Sequence, residues 1–563
     1  GLFRVMWNEV KSTSEVLSTG IRNVKKGFVV SAEKIIFIIS ISSFRPNPIF
    51  MKAGAIFRLL MNILIFLSLT MSCENSTGEN FDDYQRPNVV IILADDLGYS
   101  DIGAYGSEIR TPNLDQLAQG GIRFTQMHNT GKCFPSRAVL LTGLYAQQVG
   151  MDRKPEAFRN SVMFGEVLRT AGYRTLFVGK HHGTDNPYDW GFDHYRGLRD
   201  GAANYFNPGL QRDDEPMPAQ KRYGKRVFAF DSLVVEGYTP PRDYYATTAW
   251  TDWAIELLDK YRNEDKPFLL YLAYQAPHDP LQAPEEAIQK YAGVYGEGYE
   301  EIARHRYQRQ LEMNLLDENY PRSEPIYPDW ESLSDSVRQD EIRRMQVYAA
   351  MIEVLDQNIG RLVDYIKSTG EWDNTLFMFL SDNGASAEVV EIGDGEVGAI
   401  DRWSSLKGNW ANVANTPFRF YKNDPYQGGI ATPFIASWPN LIAGGQVNHE
   451  PLHFIDIMPT LVEISGAKYP VEYKGDRVHP MQGKSIFPLF KGEDIQRSQP
   501  LFFQWRDGRA VRTSDWKLVG YEKDWELYDM KSDRTEMNNV ADEKPEVVAD
   551  LEQQWEHWAD TWE

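Results

Sequence analysis

Four stretches of the chain are short apolar runs that end abruptly in polar residues: NVVIILADD (88–96), RTLFVGKHHG (174–183), PFLLYLAYQAPHDP (267–280) and NTLFMFLSDNG (374–384). Their length and their β-branched and aromatic content predict strands, and continuous rather than alternating hydrophobicity predicts burial on both faces, as in a parallel sheet covered by helices. Between them lie segments with helical spacing, the clearest being DEIRRMQVYAAMIEVLDQNIGRLVDYIKS (340–368), which has no internal proline. This succession predicts a doubly wound α/β body. Toward the end, 500–530 alternates apolar and polar positions between turn signals, which predicts an antiparallel meander, and 544–563 reads as an amphipathic helix with Trp555, Trp558 and Trp562 near one face for core packing. The long stretch 281–339, rich in Tyr, Glu and Arg, reads as a rim for a substrate cleft, with a surface excursion as the alternative.

In open parallel sheets ligands sit beyond the carboxyl ends of the strands. One rim therefore collects Asp95, Asp96, Lys180, His182, His278, Asp382 and Asn383. Each has an ordinary reading alone: an Asp pair caps a helix, a single His is hydrogen-bonded structure, and Asp-Asn-Gly is a turn. Together they point to a site. Three carboxylates and an amide form an all-oxygen donor set, which suits a hard divalent cation better than zinc.

A chain of 563 residues exceeds the size at which one core stops growing, so a large domain with a smaller one is expected. A net charge of −21 excludes a nucleic-acid-binding surface, which draws its affinity from clustered Lys and Arg, but leaves room for a small anionic substrate where a few basic groups converge. No internal repeat is apparent. In 51–73, Lys52 and Arg58 precede an apolar run too short to span a bilayer, as in a signal peptide, and Ser72-Cys73 resembles a lipoprotein signal with Cys73 as the lipidated residue. An ordinary secretory signal cut nearby is the alternative. The expectation is an exported protein, periplasmic or at the cell surface and attached to a membrane only through a lipid on Cys73, with 1–50 an upstream extension and 74–86 a polar linker.

Only two cysteines occur, and with Cys73 in a processed segment, Cys133 stands alone in GKCFPSRAVLLTG (131–143). Pro135 fits the first turn of a helix, so Cys133 sits at the positive end of the helix dipole, where unpaired N–H groups hold anions and a thiol becomes reactive. The run CFPSRAVLLTG resembles the signature of the type I sulfatases of the alkaline phosphatase superfamily. ADDLGYSD (94–101), Gly179-Lys180 with His182, APH (276–278) and SDNG (381–384) match the other family blocks in order, and the likeness runs from about residue 87 to the C-terminus. The pattern looks most like the microbial arylsulfatase and alkylsulfatase branch.

The resemblance implies a large mixed, mostly parallel sheet flanked by helices over 87–495, and a small subdomain over 496–563 with a four-stranded antiparallel sheet and a helix. It implies that a maturation enzyme converts Cys133 to formylglycine, whose hydrate attacks the sulfur of a sulfate ester and then expels sulfate. Asp95, Asp96, Asp382, Asn383 and the modified residue 133 would bind Ca²⁺. Arg137 would hold the hydrate, Lys180 and Lys422 the sulfate oxygens, while His278 protonates the leaving oxygen and His182 acts as the base. Lys422 comes from NTPFRFYKNDPYQGGIATPF (415–434), with Lys407 as its competitor. The chain departs from the family at Gln427 (Glu), at Ala431 (Arg), and around the histidine of GKHHG. The implied activity is hydrolysis of a carbohydrate, aryl or alkyl sulfate; the alternatives are a phosphodiesterase or phosphonate monoester hydrolase on the same scaffold, or an inactive glycan-binding relative.

Overall fold

The computed structural model describes residues 85–521 and 524–562. The segments read as upstream extension, signal peptide and most of the linker, Cys73 among them, lie outside these residues.

The apolar runs form the centre of an eleven-stranded sheet. Its strands are β1 (Asn88–Asp95), β2 (Ile122–His128), β3 (Arg174–Gly179), β4 (His194–Leu198), β5 (Val227–Phe230), β6 (Leu233–Glu236), β7 (Phe268–Pro277), β8 (Thr375–Ser381), β9 (Ala431–Ser437), β10 (Gln446–Asn448) and β11 (Leu452–His453). Their spatial order is β10-β2-β9-β8-β1-β7-β3-β4-β5-β6, with β11 also on β2. The central block β8-β1-β7-β3-β4 is parallel throughout, and β9 and β5 run against it on either side.

Because successive side chains of a strand face opposite ways, a strand apolar at every position feeds two cores. Val89, Ile91 and Leu93 of β1 join one core with Leu269 and Tyr271 of β7 and Leu376 and Met378 of β8. Val90, Ile92 and Ala94 join the other with Leu270, Leu272, Phe377 and Phe379. The helix Cys133–Thr142 packs on the first face. The long helix Asp335–Ser368, capped by the Ser334 hydroxyl accepting from the Val337 N–H, covers the second with Ala246–Tyr261.

A two-residue hairpin, β12 (Glu472–Tyr473) and β13 (Asp476–Arg477), precedes the C-terminal sheet. That sheet is an antiparallel meander of β14 (Leu501–Trp505), β15 (Gly508–Arg512), β16 (Trp516–Tyr521) and β17 (Asp524–Asp529), closed by the helix Pro545–Ala559. The fold is the mixed α/β architecture expected. Trp558 stacks on Phe502 at 4.9 Å and belongs to the core, with Trp555 and Trp562 packed against it.

One expectation is corrected. Residues 281–339 do not line the cleft described below; 281–316 form the helices Glu285–Gln289 and Gly298–Glu312 and join the second core, while 317–329 is the largely exposed surface excursion of the alternative reading. Tyr295 and Tyr299 turn inward onto Trp410, with ring centroids 5.6 and 4.7 Å away. An aromatic-rich stretch at this position is core material, because burying a tyrosine ring removes more apolar surface than a rim position would.

Candidate active site

The parallel block brings the carboxyl ends of β1, β3, β7 and β8 to one rim, where Asp95 ends β1 and the residues just beyond the strands are Asp96, Lys180, His278, and Asp382 and Asn383. Asp96 has φ of 64°, a left-handed turn that Asp tolerates better than most side chains, and the turn lets two consecutive carboxylates serve the same site. At the end of β3, Gly179 has φ of 112°, and a Cβ there would fall 2.0 Å from the Ala273 carbonyl oxygen. Only glycine lets the chain turn to deliver Lys180.

Lys422 reaches the rim by another route. Because β9 runs antiparallel to β8, its beginning lies at the rim where β8 ends, and Lys422 is in the segment leading into it. Its Nζ stands 2.8 Å from Asp96 Oδ1. Lys407 instead faces Asp340 and Glu391, at 3.5 and 3.8 Å. Gln427 bonds to Glu536 through its N–H and contacts His128, toward the C-terminal sheet, and Ala431 opens β9.

Arg137, one helical turn after Cys133, ties the cysteine helix to the carboxylates. Its Nε donates to Asp382 Oδ2 at 2.7 Å, Nη1 to the Lys180 carbonyl at 2.8 Å, and Nη2 lies 3.5 Å from Asp95 Oδ1. Lys180 pairs with Asp95, and Asn383 Nδ2 donates to Asp96 Oδ1 at 2.6 Å. All of these side chains are buried.

Burial alone would raise every carboxylate here. For Asp95 it is outweighed by Lys180, His278 and Arg137, and for Asp96 by His278, Lys422 and Lys180, so both fall below the usual range. Asp382 is pushed up to about 7 by burial and the Asp95 charge, which Arg137 only partly offsets. Burial also acts against the charge on Lys422, yet Asp96 foremost holds its pKa well above the ordinary lysine value.

This arrangement fits a divalent cation. Asp95 Oδ1 and Asn383 Oδ1 are buried oxygens that accept no hydrogen bond among the described residues. Asp95, Asp96, Asp382 and Asn383 supply oxygen only, as a hard cation prefers, so the Cys133 sulfur would be the one soft atom beside them. A nitrogen of His278 also falls within 4.8 Å of the Asp95 and Asp96 oxygens. Despite its burial, those two carboxylates raise its pKa.

His278 Nδ1 faces the carbonyl and carboxylate of Asp279, at 2.7 and 2.9 Å, which orients Nε2 toward Asp96 Oδ2 at 3.5 Å. Burial, Lys180 and Arg137 depress His182 well below 6.5, so it is neutral near pH 7. His182 has φ of 59°, and a Cβ on Gly201 would come within 2.7 Å of its Nε2. Strain and a neighbour without a side chain thus place this ring in the cleft. His181 points away into the aromatic core near Phe158 and Phe177.

A cleft of about 530 Å³ opens over Cys133, Phe134, His182, His278 and Lys422. Its other charged lining residues are Lys132, Arg199, Asp200, Lys221, Arg222, Arg226 and Glu388, an excess of cations in a chain of −21. The sequence reading did not single out Asp279, Glu388 or the arginines. Asp279 had a signal in its adjacency to His278. Glu388, which pairs with Lys132 at 2.8 Å and is held down to about 2 by Lys422 and Lys132 against the effect of burial, had none.

The comparisons agree with this geometry. Residues 87–467 match the family model described as Sulfatase, and 418–560 match that of the N-sulphoglucosamine sulphohydrolase C-terminal region. The chain is 32% identical over 522 residues to an uncharacterized sulfatase of Schizosaccharomyces pombe, covering 84% of this chain and 93% of that protein. It is also 32% identical over 441 residues to the arylsulfatase of Klebsiella aerogenes, covering 73% and 93%. Among solved structures, Ps i-CgsB in complex with k-i-k-neocarrahexaose superposes with a TM-score of 0.62 at 26% identity, covering 84% of this chain and 93% of that one. With the family model matched over most of the chain and relatives 32% identical over most of their length, this chain belongs to the type I sulfatase family of the alkaline phosphatase superfamily, enzymes that hydrolyse sulfuric esters.

Proposed function

We propose that this protein releases inorganic sulfate from a sulfated glycan fragment or a related aryl or alkyl sulfate, with residue 133 as formylglycine and Ca²⁺ held by Asp95, Asp96, Asp382 and Asn383. The observation that carries this reading is Arg137: from one turn beyond Cys133 it grips Asp382 and approaches Asp95, so the candidate nucleophile and the cation-binding oxygens form one unit. When present, the aldehyde hydrate and the bound cation supply a hydroxyl nucleophile activated by a Lewis acid.

The remaining work falls to the chain's own side chains. Lys180 and Lys422, charged and buried, neutralise oxyanion charge at the rim, where low polarity makes each worth more than in water. His278 carries a proton on Nε2, steadied by Asp279 at Nδ1, and donates it to the departing alcohol oxygen. His182, neutral and set into the cleft, would accept the proton of the hydrate's remaining hydroxyl as the aldehyde re-forms and sulfate departs by C–O cleavage. The sulfated-glycan assignment draws on the cationic cleft and on the glycan-bound relative Ps i-CgsB.

We further infer from 51–73 that the protein is exported, and that a maturation enzyme acts on Cys133 before export. The reading is tested by comparing p-nitrophenyl sulfate with bis(p-nitrophenyl) phosphate as substrates for matured protein with Ca²⁺ and after chelation. Faster, chelator-sensitive turnover of the sulfate is expected. Faster turnover of the phosphodiester would replace the reading with phosphoryl-transfer chemistry, and turnover of neither would leave a binding protein.

A further inference from the structure

The cationic side of the cleft does no work in the chemistry above. Its position follows from topology. Strand β4 runs parallel to β3, so its carboxyl end opens on the catalytic rim and delivers Arg199; β5 runs antiparallel to β4, so its start returns to the same place and delivers Arg226. The Arg199 N–H donates to the Val227 carbonyl at 2.8 Å, which fixes the two arginines on neighbouring backbones.

Their guanidinium groups lack the partners that buried cations ordinarily have. Arg226 is only 6% exposed, yet its side chain makes no hydrogen bond among the described residues, and the Nε atoms of both arginines are buried without an acceptor. Asp200 is the one carboxylate that comes within ion-pair distance of Arg226 among the described residues, while Asp279 acts on it from farther off. Asp200 is engaged by the Val227 N–H at 2.6 Å and by Arg222 at 3.3 Å, and its closest oxygen is 4.0 Å from Arg226. Arg199 forms no ion pair among the described residues. Burial accordingly depresses Arg226, with Asp200 giving only partial relief. This is not a shortage of acids: the chain carries 80 Asp and Glu against 59 Lys and Arg. Elsewhere Arg137 and Arg306 each engage two carboxylates.

We propose that Arg199 and Arg226 bind a second anionic group of the substrate, a sulfate or a carboxylate, so that the preferred substrate is a glycan bearing two anions of which one is hydrolysed. The proposal rests on the sulfatase reading for the identity of the first anion only. Both arginines line the same cleft, a guanidinium fork matches the geometry of either oxyanion, and exposed Lys221 and Arg222, which also line it, would draw such a ligand toward an otherwise acidic protein.

The test uses the full chain carrying Cys133→Ala, which lacks the nucleophile and so reports binding alone, with Ca²⁺ present and calorimetry as the readout. Four disaccharides are compared: a monosulfate, disulfates with the second sulfate on the same or on the adjacent sugar, and a monosulfate with a uronic carboxylate on the adjacent sugar. The best dianion should bind at least about tenfold tighter than the monosulfate, and the combined Arg199→Gln, Arg226→Gln substitutions should reduce that ratio to about twofold or less. Which dianion wins separates sulfate from carboxylate. Should the double variant melt early, Arg199→Gln alone must still narrow the ratio. Equal binding of all four ligands, or a preference that survives the substitutions, overturns the proposal. Turnover of p-nitrophenyl sulfate by the matured parent is read separately: its absence alongside a retained dianion preference would remove the hydrolytic reading while supporting the second site.

Discussion

His278 shows how neighbouring charges decide a residue's role. Burial lowers an imidazole's pKa, but Asp96 and Asp95 reverse the sign, and Asp279 fixes which nitrogen faces the cleft. His278→Gln should therefore depend on the leaving group. For a sugar or alkyl sulfate, whose alcohol needs a proton to depart, kcat should fall about 10²- to 10⁴-fold, and for p-nitrophenyl sulfate far less, since nitrophenolate leaves unprotonated. Equal losses on both substrates would mean that His278 positions rather than protonates. At this scale the sequence was informative where chemistry follows a strand end directly, as at Asp95, Lys180 and Asp382. It was silent for Arg199 and Arg226, which flank short strands in a region of irregular connections, and for Glu388, whose partners are 256 and 34 residues away.

At the scale of elements, legibility tracked burial on two faces. Strands β1, β3, β7 and β8 are apolar at nearly every position, and their signal survives without tertiary information. Strand β9 is hidden by Pro433, which in most central strands would break the ladder; here the pairing with β2 shifts register opposite it, between Phe124 and Met127. Strand β6 exposes Leu233 and Val234 and carries no core pattern at all. The C-terminal meander was legible from its alternation, but its attachment to the site was not. Trp505 at the end of β14 packs edge-on against Phe134, the residue after Cys133, at 5.3 Å, and donates from Nε1 to Asn423 at 3.2 Å. Trp505→Ala should cost about 3 kcal/mol in denaturant unfolding and lower kcat/KM as well, because the cysteine helix loses its backing. Unchanged stability with unchanged kinetics would show that the meander does not support the site.

The whole molecule joins an acidic exterior to a basic cleft and keeps several histidines neutral inside. His181 and His453 are both depressed to about 3 by burial, with Arg199 and Arg497 respectively adding to the effect. An unfolded histidine takes up a proton near pH 6.5, and these two do not when folded. Below that pH the unfolded state therefore binds more protons and stability falls, by about 2 kcal/mol for each at pH 5. The melting temperature should drop steeply between pH 6.5 and 5, and His181→Phe, which keeps a ring beside Phe158 and Phe177, should flatten that slope. A slope unaffected by the substitution would place the acid sensitivity elsewhere.

The central claim concerns one side chain, so the most direct test is the mass of the peptide spanning residue 133, measured on the same preparation whose sulfate release is assayed. The account predicts the mass loss that accompanies conversion of the thiol to an aldehyde, with activity rising in proportion to the converted fraction and absent from Cys133→Ala. A preparation that releases sulfate at full rate while residue 133 is still an unmodified thiol would contradict it.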